Sequence, residues 1–141
     1  MPSCSDHTVQ AIHNEKFATF LKGHLEYKDW IITVCFYTAL HYVEAVFFNM
    51  PHIQHTSSSI PKDPTTGKYL YSEHVWREKL IQQNLPQKVF IHFRKLRINS
   101  NTARYLDINK SGLSSSYFTD KDALDAFDKD LQSIKQELKL S

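Results

Sequence analysis

The feature that most constrains this chain is the run 30–48, apolar almost throughout, in which Tyr37, His41 and Glu44 stand out as polar side chains. Thr33, Tyr37, His41, Glu44 and Phe48 are separated by four, four, three and four residues, so on a helix they share one face. A carboxylate and an imidazole surrounded by apolar neighbours need partners, because an unpaired buried charge shifts its pKa or destabilises the fold. Two readings follow. His41 and Glu44 bond to neighbouring helices and fix the packing, or the stripe lines a pocket or a dimer interface. By length the run also raises the question of a membrane span, for which about 18 apolar residues suffice. Glu44 and His41 argue against it, since an acidic side chain at the bilayer centre costs on the order of 3 kcal/mol. A helix enclosed by protein explains the same pattern, and no membrane association is expected.

Only three glycines and five prolines interrupt the 141 residues, which favours long helices. The spacing predicts a first helix from an Asp6 or Ser5 cap to about Gly23, with Val9, Ile12, Phe17, Phe20 and Leu21 as its apolar face. Asp29 is the expected cap of a second helix over about 30–49, ended by Pro51. Residues 50–72 contain Pro51, Pro61, Pro64, Gly67 and a serine run, and read as a long loop, expected to be mobile. Ser72 caps an expected third helix over 73–83. Leu85-Pro86 starts a fourth, reaching about 106, with Val89, Phe93, Leu96, Ser100 and Ala103 at helical spacing. A polar loop is expected at 107–116. The last helix, about 119–138, places Leu124, Phe127, Leu131, Ile134 and Leu138 on one face and Asp120, Asp122, Asp125, Asp128 and Asp130 on solvated ones. The expected fold is therefore all-α: one domain over 1–141, an antiparallel bundle of four to five helices.

With 41% hydrophobic and 23% charged residues, neither disorder nor a fibrous class is indicated. Cys4 and Cys35 form neither a disulfide framework nor a CxxC site, and the N-terminal residues lack the basic start and apolar run of a signal peptide. The expected setting is reducing and cytoplasmic. Serine-hydrolase, phosphate-loop and dinucleotide motifs are missing, and no cofactor is expected.

Three groups of residues could carry chemistry. His74 and Arg77 lie three apart, which sets an imidazole able to move a proton beside a guanidinium able to hold a phosphate. A solvated charged surface is the plainer reading of the same pair. Between 79 and 106 there is no acidic residue, while Lys79, Lys88, Arg94, Lys95, Arg97 and Arg104 are basic. That asymmetry suits RNA or another phosphate-bearing ligand, although a helical wheel scatters these cations and the whole chain is only +2. Finally, His41 and Glu44, with His52, His55, His74 and His92, supply metal-ligand types. The Glu-x-x-His pair of helical metal bundles is absent, so no metal site is assigned.

The run Phe36-Tyr37-Thr38-Ala39-Leu40-His41-Tyr42-Val43-Glu44-Ala45, the later Glu73-His74-Val75-Trp76-Arg77, and the segment from Phe93-Arg94-Lys95-Leu96 to Ala103-Arg104-Tyr105 together resemble a HEPN domain, in the same order and over nearly the whole chain. The resemblance implies a cytoplasmic, usually homodimeric helical protein that cleaves or binds RNA, or binds a nucleotide, often within toxin–antitoxin or defence systems alongside a partner protein. Many such proteins are metal-independent endoribonucleases, using an arginine followed after four to six residues by a histidine. No arginine here meets that spacing. Only the reversed pair His74 and Arg77 could stand in as catalytic residues, with Tyr37, His41, Glu44, Arg104 and Tyr105 binding the ligand. The alternative is a noncatalytic interaction module acting as a dimeric partner subunit.

Overall fold

Helix α1 (Cys4–Leu21) begins one turn earlier than expected, because Ser3 and Asp6 form a capping box. The Ser3 hydroxyl accepts from the Asp6 N–H, and the Asp6 carboxylate accepts from the Ser3 N–H at 2.8 Å. Such a box satisfies two otherwise orphaned donors and is worth about 1 kcal/mol. A 3₁₀ turn (Leu25–Tyr27) then feeds directly into α2 (Lys28–Phe48). Asp29 therefore lies inside the first turn of α2 instead of capping it, and the Tyr27 side chain makes no capping bond. The computed structural model describes residues 2–105 and 117–140, and among these the protein is all-α, with a single isolated bridge between Lys62 and Tyr69 and no strand. The loop expected at 107–116 lies outside the described residues.

Helix α2 is the axis of the bundle. Thirteen of its residues are buried, among them Ile31, Ile32, Cys35, Phe36, Val43 and Phe47. Fully burying a side chain such as Phe36 or Ile32 contributes roughly 1.5–3 kcal/mol, so this one helix organises much of the core. Helix α1 packs antiparallel to it, as the Cys4–Asn49 and Glu15–Tyr42 contacts show.

The face that α1 turns to α2 is not the one its sequence advertises. His7, Ala11, Ala18 and Leu21 are buried, whereas Val9, Ile12, Phe17 and Phe20 are exposed on the opposite side. Two alanines let the backbones approach closely, and the large apolar residues are left outward.

The segment at 50–72 carries structure of its own. Ile53 is buried, α3 (Thr56–Ser59) forms a short helix, and the Lys62–Tyr69 bridge closes a turn in which Gly67 takes φ +72°, open to glycine without a Cβ clash. The segment is tied down by the Trp76 Nε1–H, which donates to Ser59 Oγ at 2.9 Å. Ser72 caps α4 (Glu73–Asn84) by accepting from the Val75 N–H, as expected.

Pro86 stands at the N-cap of α5 (Gln87–Arg104), one position before the first turn. Its buried residues are Val89, Phe93, Leu96, Ser100 and Ala103, the face read from the sequence. Phe93 meets Phe36 of α2 with ring centroids 5.5 Å apart.

The C-terminal helical stretch is capped by Thr119 and runs through α6 (Asp120–Asp125), a π-helical turn (Ala126–Leu131) and α7 (Gln132–Glu137). A π turn holds one residue more than an α turn, so the buried face shifts by one position across it. Ala123 is buried ahead of it, Ala126 opens it and Leu131 closes it, both buried, and Ile134 is buried after it, leaving Leu124 and Phe127 half-buried. The same shift turns Asp130 inward, correcting its expected place on the solvated surface. It is 1% exposed and is matched by His92 Nδ1 at 2.7 Å and Lys95 Nζ at 3.5 Å. On the other flank, Glu15 of α1 accepts from the Tyr42 hydroxyl at 2.7 Å and from Lys135 Nζ at 2.8 Å, joining α1, α2 and α7.

Candidate functional site

The polar stripe of α2 divides among four neighbouring helices. Glu44 is buried and faces α4 and α3: Arg77 Nε donates to its Oε1 at 2.7 Å, and the Thr56 hydroxyl donates to the same oxygen at 2.5 Å. The Thr56 N–H adds a longer bond to Oε2 at 3.4 Å. Arg77 also donates from Nη2 to Glu73 Oε1 at 2.9 Å, and its side chain is only 5% exposed. A guanidinium enclosed between two carboxylates has no face left for a phosphate. Arg77 is thus a packing residue, and the expected pairing of His74 with Arg77 over a ligand is corrected by burial and charge compensation.

His41, one turn before Glu44, is half-buried and meets His7 of α1, with the two Nδ1 atoms 3.1 Å apart. A hydrogen bond between two imidazole nitrogens needs one donor and one acceptor, so at least one ring is neutral while it persists. Burial pushes both rings below the usual His value. Glu44 acts in the opposite sense and Arg77 in the same one. The His55 ring lies 6.4 Å from that of His7 and 5.5 Å from that of Phe48. Among the described residues no three His, Cys, Asp or Glu side chains are grouped as a metal ion would require.

Tyr37 leads to the exposed end of the stripe. Its oxygen accepts from Arg104 Nη1 at 2.6 Å. The guanidinium carbon of Arg104 lies 5.9 Å from the ring centroid of Phe36, 5.4 Å from that of Tyr37 and 5.3 Å from that of Tyr105. These distances suit cation–π attraction, which holds the charge without neutralising it. Its remaining bonds go to the Ser100 carbonyl and to Asn101 Oδ1, both neutral. His74, at the exposed start of α4, leans over the same Phe36 ring with centroids 6.5 Å apart. Its imidazole is held below the usual value, first by partial desolvation and then by the Arg77 and Arg104 charges. Of the sequence-derived candidates, His74, Tyr37 and Arg104 therefore gather around Phe36, with Tyr105 against Arg104, while Glu44 and Arg77 belong to the buried interior and half-buried His41 pairs with His7.

The basic stretch 79–104 is largely compensated. Arg97 forms an ion pair with Glu78 that lacks hydrogen-bond alignment, Lys95 faces Asp130, Lys88 approaches Glu137 at 3.8 Å, and Lys79 sits over the Tyr71 ring. Among the described residues no carboxylate pairs with Arg104 or Arg94.

Sequence reasoning missed His7, Thr56 and a hollow that Asp29, Trp30 and Thr33 line with Ala103 and Arg104. The need of His41 and Glu44 for partners was visible in their apolar setting, but those partners lie 34 and 12 residues away and carry no spacing signal. Comparison of the chain with protein-family models, curated proteins and solved structures finds no match.

Proposed function

We propose that this protein is a HEPN-like helical domain that binds the phosphate of RNA or of a nucleotide through Arg104, with Tyr37, His74 and Tyr105 around it. The observation that carries this reading is the state of Arg104: a guanidinium positioned by the 2.6 Å bond it donates to the Tyr37 oxygen, framed by three aromatic rings and lacking a carboxylate partner among the described residues. A guanidinium fixed in this way is a preorganised hydrogen-bond donor to phosphate oxygens. His74 supplies a proton-transfer group on the same ring platform. A neutral imidazole can take the proton of a ribose 2′-hydroxyl while a guanidinium stabilises charge on the phosphate. In strand cleavage by this route the 2′ oxygen attacks phosphorus as its proton passes to His74, and the 5′ oxygen leaves with a proton returned by the imidazolium.

Incubating the protein with single-stranded RNA at low and high salt, beside His74→Ala and Arg104→Ala, tests the reading. Binding that weakens steeply with salt and depends on Arg104 supports it. Cleavage lost with His74 assigns catalysis, and binding without cleavage describes a noncatalytic member. Failure to bind RNA or nucleotide at low salt would sink the proposal.

A second reading, an association module, is favoured by α1. Val9, Ile12, Phe17 and Phe20 form one apolar outward face, with Phe20 63% exposed. A homodimer or a partner protein seated there accounts for it. Solution mass of the chain beside Phe20→Ser separates this reading from a monomeric binder.

A further inference from the structure

We propose that the hollow lined by Asp29, Trp30, Thr33, Ala103 and Arg104 receives one nucleobase and prefers guanine. The inference rests on the reading that Arg104 holds a phosphate, and adds the identity of what is attached to it. The hollow measures about 230 Å³, below the roughly 300–1,000 Å³ of clefts that enclose drug-sized ligands. It has room for a single flat ring system.

Its lining is unlike that of a second phosphate site. Trp30 is 55% exposed, although it lies in the first turn of the largely buried α2. An accessible indole at the rim of a hollow is a stacking platform of the kind that single-stranded nucleic-acid binders use. Ala103, also in the lining, is small and buried.

Asp29 supplies the reading group. Its backbone carbonyl accepts from the Thr33 hydroxyl at 2.8 Å, and its carboxylate makes no ion pair among the described residues. Asp29 and Arg104 both line the hollow, yet they form no ion pair. An ionised carboxylate only accepts hydrogen bonds. Guanine is the base whose pairing edge offers two adjacent donors, N1–H and the 2-amino group, and so meets both carboxylate oxygens. Adenine and cytosine each set one amino donor beside a ring-nitrogen acceptor, which would face a carboxylate oxygen unfavourably. The guanidinium is thereby left for the phosphate, and the two opposite charges serve opposite ends of one nucleotide.

Titration of the full chain with GMP, AMP, CMP and ribose 5-phosphate, followed by calorimetry in every variant and by tryptophan fluorescence where Trp30 is retained, tests the proposal. Trp76 is the only other tryptophan and is already stacked on Tyr71, with centroids 5.4 Å apart. Quenching that disappears in Trp30→Phe read beside Trp30→Ala therefore reports on the hollow. The expected result is that GMP binds roughly tenfold tighter than AMP or CMP. Asp29→Asn should reduce that preference to about twofold or less while ribose 5-phosphate binds as before. Trp30→Ala should weaken every nucleotide roughly tenfold and leave ribose 5-phosphate unchanged. Equal affinity for GMP and ribose 5-phosphate, with no effect of Trp30→Ala, overturns the base subsite while the phosphate reading stands. Equal affinity for the three nucleotides overturns Asp29 as the reader. If neither ribose 5-phosphate nor any nucleotide binds, the phosphate reading fails and takes the subsite with it.

Discussion

Arg77 Nε lies 2.7 Å from Glu44 Oε1, and both side chains are almost fully enclosed. Removing one partner leaves an uncompensated charge in the interior. Glu44→Ala or Arg77→Ala is therefore expected to destabilise the fold by about 3–5 kcal/mol. Replacing both together, as Glu44→Leu with Arg77→Met, should cost much less than either single change. Urea midpoints of the three variants check this, and equal losses in the single and double variants would contradict the pairing.

The His7–His41 contact makes stability depend on pH. Burial lowers both folded-state pKa values, so the unfolded chain binds more protons once the pH drops below the ordinary His value of about 6.5. Stability is fully present above that value and falls as the pH descends through the lowered pKa values. His55 and Arg77 add to this direction, while Glu44 and Asp6 oppose it at His7. Denaturant midpoints measured from pH 7.5 to 5 should decline, and His41→Gln should flatten the decline. An unchanged slope in that variant would remove the imidazole pair as its source.

Loss of Arg104 should weaken RNA binding on every sequence to a similar degree. It should also reduce the slope of log affinity against log salt by about 0.7, the value for one phosphate contact on a single strand. Arg97→Ala is the control, because that side chain is already paired with Glu78. Matching salt slopes in Arg104→Ala and the unaltered chain would remove Arg104 from the phosphate contact.

The two faces of α1 should respond oppositely to substitution. Ala18 is fully buried against the bundle, so Ala18→Leu is expected to overpack it at a cost of about 1–3 kcal/mol. Phe20→Ser removes an exposed ring and should leave the thermal midpoint nearly unchanged. A large loss in the second and none in the first would reverse the orientation assigned to α1.

That orientation shows where sequence reading stops. Helix α5 was legible because its buried face is built from large residues at regular spacing, Val89, Phe93 and Leu96, with Ser100 and Ala103 continuing the line. In α1 the bulky residues point away, and hydrophobicity alone cannot distinguish a face that packs within the chain from one left outside. The last helix failed for another reason. Its apolar residues fit an uninterrupted α period, and a π turn leaves no mark in that period. At the candidate site, Tyr37, His74, Arg104 and Tyr105 were recognisable by residue type, but the separation of Arg77 from them required knowing that Glu44 faces α4. The Asp29 and Trp30 hollow carried no signal, since a carboxylate in the first turn of a helix is ordinary.

The π turn at residues 126–131 also says how this helix tolerates changes in length. A regular α-helix that loses one residue rotates everything beyond the deletion by about 100°, which would carry Leu131 and Ile134 out of the core. Here the helix already contains the surplus residue, so deleting the exposed Lys129 should convert the turn to ordinary α geometry with Ala123, Ala126, Leu131 and Ile134 all still facing inward. A deletion of one exposed residue in α5, such as Lys95, has no such reserve and should unfold the bundle. Circular dichroism and thermal melts of the two deletions would compare them directly. The turn thus marks the one described stretch of this bundle where the coding sequence can shorten by a codon without losing the phase of its core.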